Sequence, residues 1–305
     1  MNAIEVTGLT KRFGQKLVVN NVSLKVKSGE IVGFLGPNGS GKTTSIRMMC
    51  GLLKPDNGHG QVLGYDLIKD RLRIKSQVGY MTQKFSFYED LTIEENLSFV
   101  ARLYNLAPIK KHTTETLEKL GLLSRRKQLA GELSGGWKQR LALAACTMHK
   151  PKLLLLDEPT AGVDPKARRD FWEEIHRLAA DGMTVLVSTH YMDEAERCHR
   201  ITYISYGNLL ADGSLHDVIA SAGLHTYTLT GPDLEGFIPA LQADDGVQQI
   251  APFGNALHVT GTDPQALKRA LKPLEQHNDI RIEQAETNLE DVFIKFMSDS
   301  TDNMQ

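Results

Sequence analysis

The sequence predicts an α/β protein, with a mostly parallel sheet covered by helices on both faces and a smaller α+β domain after it. Three observations carry this. Ile31-Val32-Gly33-Phe34-Leu35, Leu153-Leu154-Leu155-Leu156 and Thr184-Val185-Leu186-Val187-Ser188 are short continuous apolar runs, the pattern of strands buried on both faces. Segments of helical period lie between them. After about residue 222 the pattern changes to short strands and helices in quick alternation.

Taken in order, Ile4, Val6, Val18, Val22, Leu24 and Val26 stand among polar neighbours with period two, which predicts short antiparallel strands. Ser28-Gly29-Glu30 reads as a turn into the buried strand at 31–35. A glycine-rich loop follows, then a helix with Ile46, Met49, Cys50 and Leu53 on one face, ended by Lys54-Pro55. Residues from about 84 to 150 read as mainly helical. Thr92 with Glu95 forms a capping box, and Leu97, Val100, Ala101 and Tyr104 form one apolar stripe, Leu141, Ala144, Ala145 and Met148 another. The Leu153–Leu156 run follows Pro151 and is too short for an independent helix, so it is a strand. Phe171, Ile175 and Leu178 mark a helix that stops near Gly182. From residue 226 onward the order is βαββαβα, that of a ferredoxin-like domain: strands at 226–229, 247–251, 256–260 and 280–283, with helices at 234–241, 264–274 and 289–296.

The chain has 305 residues, and at roughly 150 residues per domain that suits two domains, expected at 1–222 and 223–305. With 41% hydrophobic and 24% charged residues, a disordered chain, a collagen-like repeat and a disulfide miniprotein are excluded. Lys and Arg number 35 against 37 Asp and Glu. So balanced a chain has no overall electrostatic reason to coat nucleic acid or an anionic membrane. Cys50, Cys146 and Cys198 are odd in number and far apart, which suits a reducing cytosol rather than a disulfide framework or zinc site. No apolar run approaches the roughly 18 residues that span a bilayer, and the start, Met1-Asn2-Ala3-Ile4-Glu5-Val6, does not read as a signal peptide. Membrane work is expected to go through a partner chain.

The motifs carry the chemistry. Gly36-Pro37-Asn38-Gly39-Ser40-Gly41-Lys42-Thr43 fits GxxxxGK[ST] between a strand and a helix. Its glycines let successive N–H groups turn toward phosphate oxygens, and the helix beginning at Lys42 adds its positive end. Lys42 reaches the β- and γ-phosphates, and the Thr43 hydroxyl can ligate Mg²⁺. Alone, this motif does not separate ATPases, GTPases and small-molecule kinases. Leu153 to Glu158 is an apolar strand ending in two acids at the carboxyl edge of the sheet, where ligands bind. Asp157 is expected to hold Mg²⁺ and Glu158 to act as general base on the attacking water. Leu133-Ser134-Gly135-Gly136-Trp137 opens a further helix. Its exposed N–H groups at a positive helix end make an anion site, but taken alone these residues read first as a plain N-cap at Ser134.

Together these segments resemble a known family. Gly36 to Thr43, Gln83, Leu133 to Trp137, Leu153 to Glu158, Ala161-Gly162-Val163-Asp164 and Ser188-Thr189-His190 stand in the order of an ABC ATPase. The resemblance covers about residues 1–222. It implies a P-loop NTPase fold with an antiparallel β subdomain and a helical subdomain at about 84–150, with ATP and Mg²⁺ as cofactors. It implies that Phe13, which taken alone reads as a core residue, stacks on the adenine and that residues 36–43 with Thr44 hold the phosphates. Thr43, Gln83 and Asp157 would hold Mg²⁺. Lys42, Gln83, Glu158 and His190 would form the catalytic set, His190 at the γ-phosphate. Two subunits would sandwich two ATP molecules head to tail, with Ser134, Gly135, Gly136 and Asp164 of one chain completing the site of the other. The partners implied are a second copy or a similar ATPase and separate transmembrane permease subunits, without nucleic acid. The expected location is the inner face of the cell membrane, reached only through the permease.

The tail from Thr287 to Phe296 is similar to ATPases of the ABC-2 exporter group, and Tyr80 to Thr92 resembles their multidrug branch. Gln83 to Asp90 carries three aromatics, Phe85, Phe87 and Tyr88. It reads either as a loop folded on its own domain or as a groove for a short permease helix. The sequence departs from the family at Trp137, where Gln is usual, at Ala161, where Ser is common, and at Val163, where Leu is common. Three rival readings stand. Another P-loop nucleotide-binding module, such as a GTPase switch, would leave Leu133 to Trp137 unexplained, and no Asn-Lys-x-Asp guanine motif occurs. A soluble member acting on nucleic acid or ribosomes would carry long coiled coils or two cassettes, and the sequence shows neither. An importer would share the nucleotide chemistry, and the C-terminal domain favours export.

Overall fold

The apolar runs form a six-stranded sheet of order Asn208–Gly213, Arg200–Ser205, Ile31–Leu35, Thr184–Thr189, Leu153–Asp157 and Val78–Met81. The pairs from Arg200–Ser205 through to Val78–Met81 are all parallel. The molecule is described from a computed structural model covering residues 1–84 and 86–298.

Strand alternation sends side chains to two separate cores. Val32, Phe34, Leu153, Leu155 and Leu186 join a core shared with Ile46, Met48 and Met49 of the helix Lys42–Met49. Ile31, Leu154, Leu156, Val185 and Val187 point the other way, onto Phe171, Trp172 and Ile175 of the helix Pro165–Ala180 and onto Ala142 and Leu143 of the helix Gly135–Thr147. Ile31–Leu35, Leu153–Asp157 and Thr184–Thr189 are buried along their whole length, and their apolar residues serve both cores.

A second sheet, of order Lys16–Lys27, Asn2–Phe13, Asn57–Val62 and Tyr65–Asp66, is antiparallel throughout. The expected strands are present, but the first two are long, 12 residues each, rather than short. Register shifts at four places along their pairing keep Ile4, Val6, Leu9, Val22, Leu24 and Val26 buried despite interruptions in the alternation.

Between residues 84 and 150 lie the helices Ile93–Leu103, Ile109–Lys119 and Gly135–Thr147. Thr92 and Glu95 form the expected capping box. Leu97, Val100, Ala101, Leu141, Ala145 and Met148 share one core, with Tyr104 and Trp137 packed at its margin.

The chain divides between Asp212 and Gly213, ahead of the boundary expected after residue 222. The helix Leu215–Ser221, capped by a reciprocal Ser214–Asp217 pair, belongs to the C-terminal unit. There Lys295 donates to the Ala222 carbonyl at 2.6 Å and the Thr287 hydroxyl to that of Leu224 at 3.0 Å. The C-terminal sheet has the order Gln249–Phe253, Ala256–Gly261, His225–Thr230, Arg281–Ala285, with every neighbouring pair antiparallel. Leu229, Leu241, Leu257, Val259, Leu267 and Leu271 form its core with the helices Ile238–Gln242 and Pro264–Leu271.

Candidate active site

Four loops at the carboxyl ends of the parallel strands bring the candidate residues together. Gly36 to Gly41 leaves the Ile31–Leu35 strand and turns into the Lys42–Met49 helix, with Gly41 as N-cap at φ 103°. Lys42 is 4% exposed. Its ammonium donates to the Gly36 carbonyl at 2.7 Å and the Pro37 carbonyl at 3.0 Å, and lies 3.3 Å from Glu158 Oε1. Burial pushes its pKa down, and the Glu158 carboxylate opposes that shift. Ser40 carries a buried hydroxyl without a hydrogen-bond partner among the described residues. Such a group is rare away from ligands or strain. Asn38 and Gly39 are exposed at the tip of the loop and Thr44 is half-buried.

Asp157 ends its strand directly opposite Ser188. Its Oδ1 accepts from the Thr43 hydroxyl at 3.0 Å and the Ser188 hydroxyl at 2.8 Å. Burial raises the Asp157 pKa, and the Ser188 and Thr43 hydrogen bonds oppose the rise. Thr43 and Asp157 thus present two hard oxygens beside the phosphate loop. Mg²⁺ held together with a polyphosphate takes few protein ligands, carboxylate among them, so this pair fits it. Gln83 lies elsewhere: its amide donates to Glu158 Oε2 at 2.9 Å.

Glu158 is the centre of the cluster. It is 8% exposed and touches Lys42, Gln83 and, at 3.5 Å, His190 Nδ1. Its backbone has φ 46°, left-handed for a residue with a Cβ. That conformation costs on the order of 1–3 kcal/mol and persists only where neighbours impose it. Here the Ser188 carbonyl and hydroxyl both accept from Glu158 N, at 3.1 and 3.0 Å. Ser188 therefore aims both acids, a role that no sequence signal gave beyond its place at a strand end.

Five candidates lie outside this network among the described residues. Phe13 is 52% exposed, with the Lys11 ammonium 5.7 Å from its ring centroid. It is available for stacking and is not a core residue. Ser134 holds the N-cap backbone geometry, yet its side chain makes no capping bond, and Ser134 and Gly135 are exposed. Asp164 caps the Pro165–Ala180 helix by accepting from Ala167 N at 3.0 Å. Gly136 has an explanation within its own chain, because a Cβ there would lie 2.6 Å from Ala167 Cβ. A Cβ at Gly135 would meet nothing within 4 Å. Gly136→Ala is therefore expected to lower stability by about 1–3 kcal/mol through overpacking, while Gly135→Ala leaves it unchanged. Urea unfolding of the two variants measures this.

Trp137 is partly buried against the helical core, with Arg140 Cζ 5.2 Å from its ring. In the aromatic segment, Phe87 packs between two cores, whereas Tyr88 is 53% exposed and meets Phe99 edge-on at 5.5 Å. Phe85 lies outside the described residues. Neither reading of the segment accounts for both side chains, since one faces inward and the other outward.

Comparison with known proteins agrees with this geometry. Residues 19–161 match the ABC transporter family. A probable multidrug ABC transporter ATP-binding protein of Escherichia coli is 47% identical over 221 residues, 72% of this chain and 38% of its own length. The chain thus spans little more than a third of that relative. A Nod factor export ATP-binding protein I of Burkholderia lata is 38% identical over 96% of both chains. A solved dimeric ATP-binding cassette in a post-hydrolysis state, bound to ADP and Pi, aligns with TM-score 0.63 and 28% identity over 70% of this chain and 98% of its own. With a phosphate loop, paired acids at a strand end and a relative aligned along nearly its whole length, the chain belongs to the ABC transporter ATP-binding proteins.

Proposed function

We propose that the chain is the ATP-hydrolysing subunit of an ABC-2 type exporter. Two copies bind two MgATP between them, close, drive separate transmembrane permease subunits, and reopen after hydrolysis. The convergence of Lys42, Gln83 and His190 on the Glu158 carboxylate, beside the Thr43–Asp157 pair, carries this reading. When bound, Mg²⁺ neutralises phosphate charge. Lys42 exchanges loop carbonyls and Glu158 for phosphate oxygens, and Glu158 takes a proton from the attacking water. Ser134 and Gly135 are exposed and the Ser134 side chain makes no capping bond, which supports a role for them, together with Gly136 and Asp164, toward the nucleotide of a second copy, in an isologous two-fold pairing.

Export is supported by the full-length likeness to the Nod factor export protein, which includes the C-terminal unit. We read that unit as ferredoxin-like, on its βαββαβ order and its sheet order, in which the third strand lies between the first and second. No described helix is long and apolar enough to cross a membrane, which supports attachment through the permease at the inner membrane face.

The test uses tryptophan emission. Trp172 is fully buried, whereas Trp137 is only partly so, on the helix that would face the partner's ATP. In the Glu158→Gln chain, ATP is expected to shift the emission with a midpoint that depends on protein concentration, because closure is bimolecular. Curves that superimpose at low and high protein concentration would sink the dimer model.

A further inference from the structure

Glu158 sits in a closed ring of side chains, most of which the catalytic reading leaves unused. Its carboxylate is 3.5 Å from His190 Nδ1. The His190 ring lies 4.2 Å from that of Tyr191. Arg168 stacks its guanidinium over the Tyr191 ring, also at 4.2 Å. The same guanidinium places Nε 3.6 Å from Glu194 Oε1 and Nη1 3.5 Å from Asp193. Glu194, fully buried, accepts from the Thr160 hydroxyl. Thr160 is two residues beyond Glu158, and the ring closes.

We propose that Arg168 is a positioning residue for ATP hydrolysis, holding the His190 imidazole against Glu158 through the Tyr191 ring. The proposal rests on the reading of the chain as an ATPase. Three physical points support it. His190 is 32% exposed, so burial alone does not fix its ring, and a neighbour must. Glu194 is fully buried, a placement that is costly for a carboxylate without a partner, and Arg168 Nε stands 3.6 Å from it. The two acids, Glu194 and Asp193, hold the guanidinium beside the Tyr191 ring. Only a planar, delocalised cation can stack on a ring and face a carboxylate at once, which makes lysine a poor substitute.

The ring is also anchored in a helix. Arg168 lies in the first turn of the Pro165–Ala180 helix, and its N–H donates to the Asp164 carbonyl at 2.9 Å.

The simpler alternative is that Arg168 only neutralises Glu194. Variants of the full chain separate the two. Arg168→Lys keeps the charge and loses the stacking. Tyr191→Leu removes the ring and leaves the Arg168–Glu194 pair untouched, so it stays informative if Arg168→Lys folds poorly. Tyr191→Phe keeps the ring and is the conservative rescue. Arg168→Lys and Tyr191→Leu are expected to lower kcat about 10- to 100-fold, approaching the loss that a misplacement of about 1 Å brings. KM for ATP should not change, and Tyr191→Phe should turn over as the wild type does. In a His190→Ala background, Tyr191→Leu should cause no further loss, because the ring acts through His190. Wild-type turnover in Tyr191→Leu, or the same fold-loss with and without His190, overturns the proposal. The wild type and Glu158→Gln are assayed in parallel. An inactive wild type or a fully active Glu158→Gln overturns the ATPase reading and this inference with it. Failure confined to the Arg168 and Tyr191 variants overturns the inference alone.

Discussion

Glu158→Gln is expected to lower steady ATP hydrolysis by about 10²-fold or more, the scale of a lost general base, while ATP still binds. The amide keeps the shape of the carboxylate and can still accept from Gln83, which lies 2.9 Å away. It cannot take a proton from water. The backbone at φ 46° is held by Ser188 and is indifferent to the exchange. The variant also leaves the buried Lys42 ammonium with only the Gly36 and Pro37 carbonyls as partners. Removing one member of a buried ion pair is costly, so the nucleotide-free variant should melt below the wild type. ATP supplies new anionic partners for Lys42. The rise in Tm on adding MgATP should therefore be larger in Glu158→Gln than in the wild type. Full turnover in the purified variant would remove Glu158 as the base, and an unchanged Tm rise would show that Lys42 does not meet the phosphates.

Much of the parallel sheet was legible because its central strands are buried on both faces, so Ile31–Leu35, Leu153–Leu156 and Thr184–Ser188 read as unbroken apolar runs. The Asn57–Val62 strand was not legible. Its sequence, Asn-Gly-His-Gly-Gln-Val, has one buried apolar residue and becomes a strand by pairing with Asn2–Phe13 and with Tyr65–Asp66. The helix Leu215–Ser221 has a readable cap in Ser214 and Asp217, but nothing local tells which unit it joins. That is decided by tertiary packing.

In the site, residue types and order were legible, and geometry was not. No pattern announces that Glu158 adopts a left-handed backbone or that Ser188 stands in register with Asp157. Register follows from a ladder whose strands lie some thirty residues apart. Asp164 shows the same limit. Its resemblance-based role points outward to a partner, while its carboxylate also caps its own helix. The two are compatible, because a capping carboxylate uses one oxygen.

Gly36→Ala is expected to abolish measurable ATP binding and to destabilise the first unit. The reason is geometric, not chemical. At Gly36 the backbone has φ 155°, which residues with a Cβ rarely adopt. A Cβ there would lie 2.0 Å from the Ile204 carbonyl oxygen and 2.8 Å from Ser40 Oγ. The Ile204 carbonyl cannot yield cheaply. Ile204 belongs to the Arg200–Ser205 strand, which pairs directly with Ile31–Leu35, so moving its carbonyl means opening the sheet. Moving Gly36 instead displaces the carbonyl that accepts from Lys42 at 2.7 Å and the loop that follows. Backbone strain of about 1–3 kcal/mol adds to the overlap. Gly39→Ala is the matched control. It too has a positive φ, 81°, but its Cβ would meet nothing within 4 Å, so it bears strain without overlap and should fold and bind ATP more weakly. Isothermal titration with MgATP and thermal melting of both variants give the comparison. Wild-type binding by Gly36→Ala would mean that the loop adopts a different path around the phosphates from the one described.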